Sequence, residues 1–78
     1  MTAFFDQIAR GRAQITAANV VRLLDNATGT LLSASRQLNE NKLLSADLAA
    51  RIALTATAVD DLCEAAAQEA RALMERKN

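Results

Sequence analysis

The 78 residues contain no proline, no histidine and a single cysteine. Without proline nothing breaks or kinks a helix from within, and the turn-dense composition of an all-β fold is missing. A lone Cys63 closes no internal disulfide, and with neither histidine nor a second thiol there is no ligand set for structural zinc. The missing histidine also removes the side chain most used for general acid–base work near neutral pH. Aromatics are confined to Phe4 and Phe5, too few for a base-stacking platform. The two glycines, Gly11 and Gly29, stand alone, so there is no phosphate-cradling loop. No apolar run approaches the ~20 residues of a membrane span, and Met1 to Arg12 lacks the basic start and apolar stretch of a signal peptide. The expectation is a chain without cofactors or metal, not an enzyme, at work in a reducing cytoplasm and away from membranes.

Charge of one sign is missing too. Nine basic and nine acidic residues cancel, and they are interspersed rather than blocked. Non-specific nucleic-acid binding runs on a basic surface that displaces counterions, so this balance disfavours it. The only thin basic line is Arg10, Arg12 and Arg22, which are the candidate nucleic-acid contacts.

What the chain has in quantity is alanine, eighteen residues of it. A buried methyl contributes far less than a buried leucine, at roughly 0.8 kcal/mol per CH₂-sized group, so the 51% hydrophobic fraction overstates the core. The alanines and larger apolar residues are ordered by period. Ala13, Ala17, Val20, Leu24, Ala27, Leu31, Ala34 and Leu38 alternate four and three apart, an unbroken heptad seam, with Val21, Thr28, Leu32 and Ser35 on one flank. Asn39-Glu40-Asn41-Lys42 interrupts it, and Ser45 is the expected N-cap of a second helix with Asp47 in its first turn. A second line follows: Ala49, Ile52, Ala56, Val59, Cys63, Ala66, Ala70 and Leu73.

The prediction is one all-α domain over 1–78. It comprises an N-terminal segment at 2–10, helix 1 at 13–40 and helix 2 at 45–76, the two long amphipathic helices forming an antiparallel hairpin. Gly11 separates the first segment from the seam, so that segment belongs to a different face or forms a short helix of its own. Gly29 sits in a low-propensity patch but on the polar side, and the heptad phase passes through it unslipped. Continuity is the preferred reading there.

Chemistry-bearing residues are few. Asp60 and Asp61 point about 100° apart on a helix and form no carboxylate pair. Cys63, mid-helix on the apolar line with Asp60 and Glu64 near in sequence, reads as a small buried hydrophobe rather than a nucleophile. The more informative residues are apolar and expected at the surface: Phe4, Phe5 and Ile8 in the N-terminal segment, and Val21, Leu32, Leu48 and Leu62 on the helix flanks. The N-terminal group caps the open end of the hairpin, anchors in a partner's groove, or lies in a membrane surface, the last disfavoured because the segment is short and only Arg10 and Arg12 flank it.

Such wide apolar faces need more than one neighbour, and a second copy completing a four-helix bundle supplies it. The expected partners are therefore the chain itself, as a homodimer, and an unidentified protein. The function class that follows is a small protein-binding regulator, adaptor, inhibitor or chaperone, of the kind carried by phages and plasmids. A structural assembly module is the alternative. In shape, though not in any motif, the expected dimer resembles the Rop-like regulators of plasmid copy number. That resemblance implies a nucleic-acid-binding alternative.

Overall fold

A computed structural model describes residues 2–75 of the chain. It contains two helices and a tight turn: α1, Thr2–Glu40, and α2, Ala46–Glu75. They lie side by side, antiparallel, in a rod of 64 × 14 × 11 Å. At ~1.5 Å per residue, α1 is about 58 Å long and α2 about 45 Å, so α1 accounts for nearly the whole length.

The turn is built by Asn41. Its N–H donates to the Leu38 carbonyl at 3.2 Å, its carbonyl accepts the Leu44 N–H at 3.1 Å, and its Oδ1 accepts the Leu43 N–H at 3.0 Å. One residue thus closes α1 and reverses the chain through an Asx turn. Ser45 starts α2 as expected: its Oγ accepts the Leu48 N–H at 3.2 Å and its carbonyl the Ala49 N–H at 3.3 Å. The predicted end of helix 2 at Arg76 lies outside the described residues.

α1 is a single helix through both glycines. Neither has a positive φ, and no close-packed neighbour stands where a Cβ would go at Gly11 or Gly29. The segment at 2–10 is therefore the first quarter of α1, turned to a different face from the seam. The low-propensity stretch around Gly29 includes two threonines. Thr28 and Thr30 donate to the carbonyls of Leu24 and Asn26 at 2.9 and 3.0 Å, so their hydroxyls satisfy themselves on the preceding turn.

The register of the helices is set by side-chain hydrogen bonds that cross between them. Ser35 Oγ donates to the Ala49 carbonyl at 2.8 Å, and Cys63 Sγ donates to the Val21 carbonyl at 3.4 Å. Val21 and Ser35 are two heptads apart in α1, as are Ala49 and Cys63 in α2. The register is thus constant over this span, and the pairing follows a 3.5-residue period. Ala49 and Ala56 are the buried apolar residues, and Ser35 is buried beside them. Small side chains let the two backbones approach closely enough for a hydroxyl to reach a main-chain carbonyl.

The α2 seam is the one expected: Ala49, Ile52, Ala56, Val59, Cys63, Ala66, Ala70 and Leu73 are all buried or half-buried. The α1 seam is wider than the expected line. Ala13, Ala17, Leu24, Ala27, Leu31, Ala34 and Leu38 are half-buried as expected, and the flank positions Val21, Thr28 and Ser35 turn inward beside them, with Ser35 buried. Val20 is 38% exposed, whereas Val21 is half-buried with its carbonyl against α2. Hydroxyls that find carbonyl acceptors cost little to turn inward, and this lets Thr28 and Ser35 join the alanines in the seam.

Two helices in one layer leave much surface uncovered. The radius of gyration is 18.0 Å, against about 11.5 Å for a compact chain of this length. The accessible surface is 6220 Å², where a compact 8.3 kDa monomer has about 4,600 Å². The surplus is on the order of 1,600 Å².

Candidate interaction surfaces

Three surfaces follow from this architecture. The first is the N-terminal tip. Ala13 and Leu73 line one groove across the two helices, which places the end of α2 at Glu75 level with the residues just before Ala13. Phe4, Phe5 and Ile8 thus project beyond the described part of α2. Phe4 and Phe5 are 63% and 66% exposed, their rings edge to face with centroids 5.8 Å apart. Ile8 and Ile15, two turns apart, continue an exposed apolar line from Phe4 along the side of α1. Capping of the open end, the alternative expectation for this segment, places these side chains against α2, yet all three are exposed.

The two broad sides of the rod differ from each other. One shoulder of α1 carries Ala13, Thr16, Val20, Leu23, Ala27, Thr30 and Ala34, again three and four apart. The matching shoulder of α2 carries Leu44, Leu48, Arg51, Thr55, Ala58, Leu62, Ala65, Glu69 and Ala72. They lie on the same side of the rod. Ala13, Thr16 and Val20 of α1 line a groove of about 340 Å³ together with Ala66, Glu69 and Leu73 of α2. Arg51 and Glu69 are the charged residues along these two lines. Leu23 is 57% and Leu62 59% exposed, both near the middle.

The opposite side is charged. Asp25, Asp60 and Glu64 gather there around Cys63, with Arg22, Arg36 and Arg71 at the same helical positions. Arg71 Nη2 lies 3.9 Å from Glu64 Oε1, across two turns of α2. It makes this pair rather than the less favourable one with Glu75. Burial pushes the Cys63 thiol above its ordinary value, and Asp25, Asp60 and Glu64 push it further. The protonated thiol is the form that donates to the Val21 carbonyl. A group held this way is a poor nucleophile.

The sequence-predicted interface residues therefore separate. Phe4, Phe5 and Ile8 share the tip, Leu48 and Leu62 share the uncharged side, and Leu32 is exposed near the charged side. Val21, expected on a wet flank, is half-buried in the hairpin's own seam. Val20, expected in the seam, and Leu23 are exposed and join the uncharged side instead. Arg10, Arg12 and Arg22 are all exposed, but they are not brought together. Arg12 is about 160° around the helix from Arg10 and ~80° from Arg22, so no continuous basic line forms.

Among the described residues no three Cys, Asp or Glu side chains are grouped as a metal ion requires. No described helix is long and apolar enough to cross a membrane. No family model, no curated protein and no solved structure matches the chain.

Proposed function

We propose that this chain is a small non-enzymatic protein-binding module, a regulator, adaptor, inhibitor or chaperone, that acts through helix-face contacts in the cytoplasm. It self-associates into a four-helix bundle and presents the Phe4, Phe5 and Ile8 tip to a larger protein.

One observation carries this reading. The buried apolar core among the described residues is two alanines, while thirteen large apolar side chains are exposed. At about 25 cal/mol per Å² of apolar surface removed from water, covering those side chains is a stabilisation that the isolated hairpin leaves unused. Exposed apolar surface on this scale marks an interaction site. Paired phenylalanines at a projecting helix end have the form of an anchor that fills a hydrophobic groove.

The test is affinity purification of the C-terminally tagged chain from its native host, beside a Phe4→Ser/Phe5→Ser variant. A stoichiometric partner present with the parent and lost with the variant is the expected outcome. A partner retained by the variant would remove the tip from the reading, and no partner with either would remove protein binding altogether.

A further inference from the structure

The uncharged side of the rod also carries information about what covers it. Arg51 and Glu69 lie nine residues on either side of Asp60 in α2. The apolar line of α1, from Ala13 to Ala34, is centred between Leu23 and Leu24. These two midpoints come from different helices and different residue types. The hairpin's register, fixed by the Ser35–Ala49 and Val21–Cys63 hydrogen bonds, places Asp60 opposite Leu24. Both midpoints therefore fall at the same level along the rod.

We propose that two copies of the hairpin pack through this uncharged side about a two-fold axis perpendicular to the helices, passing the level of Leu23 and Asp60. The proposal rests on the self-associating reading above and names the face and the symmetry. In this arrangement α1 lies antiparallel on α1 of the second copy, and α2 on α2. Leu23 meets its own mate, Val20 meets Ala27, and Ala58 meets Leu62. Each Arg51 then reaches a Glu69 on the other copy, twice, at the rim.

The competing two-fold, parallel to the helices, lays α1 over α2 of the second copy. Arg51, whose Nε lies 3.8 Å from Asp47 Oδ2 one turn back in its own helix, then stands over Ala34 and Glu69 over Thr16, with no opposite charge on the second copy for either. Charge complementarity selects the perpendicular axis. Area supports a partner of this size. A standard interface removes ~800 Å² from each chain, and the hairpin's surplus is on the order of 1,600 Å². The opposite side, with Arg22, Asp25, Arg36, Asp60, Glu64 and Arg71, is the one such a dimer leaves in water.

Light scattering after gel filtration of the full chain reads the first outcome. The parent runs at twice the 8.3 kDa chain mass. Leu23→Glu, which sets a glutamate against its own mate, runs at the chain mass at the same concentration with its helical circular dichroism kept. Leu54→Glu, on an exposed position away from the face, stays dimeric.

Crosslinking reads the second. In a Cys63→Ser background, Leu23→Cys forms disulfide-linked dimers under mild oxidation. Thr30→Cys does not, because its mate is ~20 Å away along the axis.

Charge exchange reads the third. Arg51→Glu and Glu69→Arg each weaken self-association roughly tenfold at low salt. Mixing the two variants restores it as a heterodimer.

A dimer that survives Leu23→Glu and gives no Leu23→Cys crosslink overturns this face and axis, while leaving self-association standing. A monomeric parent overturns both, and the binding of a partner by Phe4 and Phe5 is then judged on its own experiment.

Discussion

Ser35 and Cys63 each tie one helix to the other by a side-chain hydrogen bond, and neither is hydrophobic in the ordinary sense. Each donates to a carbonyl that already accepts within its own helix, so each bond is an addition rather than the rescue of an orphaned group. Ser35→Ala loses a buried bond worth about 1 kcal/mol and gains some helix propensity, for a net loss of roughly 0.5–1 kcal/mol by urea denaturation. Ala49→Leu is the harsher change. The side chain at 49 has no room against α1, and overpacking there costs about 1–3 kcal/mol.

Cys63 adds a pH dependence of defined sign. Its folded thiol is held above the ordinary value by burial and by Asp25, Asp60 and Glu64, so the folded chain keeps the proton more tightly than the unfolded chain. The resulting stability is complete below the ordinary thiol value, near ~8.5, and is lost as pH rises through that value and the raised folded one. Urea melts at neutral and strongly alkaline pH, compared between the parent and Cys63→Ala, measure it. The parent should lose more than the variant, and equal losses would contradict the assignment.

Among the elements, α1 carries the two residues least suited to it. Gly29 and Gly11 have helical backbones with open space where a Cβ would be. Gly29→Ala and Gly11→Ala should each raise stability by roughly 0.5–1 kcal/mol, read as a higher denaturation midpoint with an unchanged slope. If Gly29→Ala destabilises the assembled protein while stabilising the isolated hairpin, another chain approaches α1 closely at that position.

The same helix shows how far the period of a sequence reaches. In α2 the eight-residue seam was legible position by position, because the apolar residues and the inward positions coincide. In α1 two candidate lines run side by side, one rich in alanine and one holding Val21, Thr28 and Ser35. Hydrophobicity alone favours the first. The hydroxyls' acceptors, which are backbone carbonyls on the preceding turn and on the other helix, bring the second inward beside it. Such acceptors are invisible before the helices are placed together. The turn was legible because Asn41 and Ser45 act locally. The continuity of α1 through Gly11 was not, since a segment without a seam gives the period nothing to follow.

On the scale of the whole molecule, the rod is one layer thick and has two dissimilar broad sides and a projecting aromatic end. Phe4 and Phe5 are largely exposed and lie edge to face on each other, so they should be dispensable for folding. Phe4→Ser/Phe5→Ser is expected to shift stability by no more than about 0.5 kcal/mol in a thermal melt, as for other exposed sites. A large loss would show that the tip caps the hairpin and is not held out for a partner. The antiparallel helical hairpin was readable from the two heptad lines and the polar break between them. The face on which the molecule would meet a second copy was not, because it depends on which of two neighbouring heptad lines the hairpin itself consumes.

The cross-helix hydrogen bonds of Ser35 and Cys63 also differ in how much chain each encloses. Ser35 and Ala49 are 14 residues apart, Val21 and Cys63 42. By loop-closure entropy alone the wider contact costs about 1 kcal/mol more to form first. The hairpin therefore closes at Asn41 and zips toward its open end, and it unzips in reverse. Ser35→Ala should slow folding, and Cys63→Ala should chiefly speed unfolding. The last part to close, and the first to loosen, is the end that carries Phe4 and Phe5. That end can yield to fit a partner while the turn half stays folded.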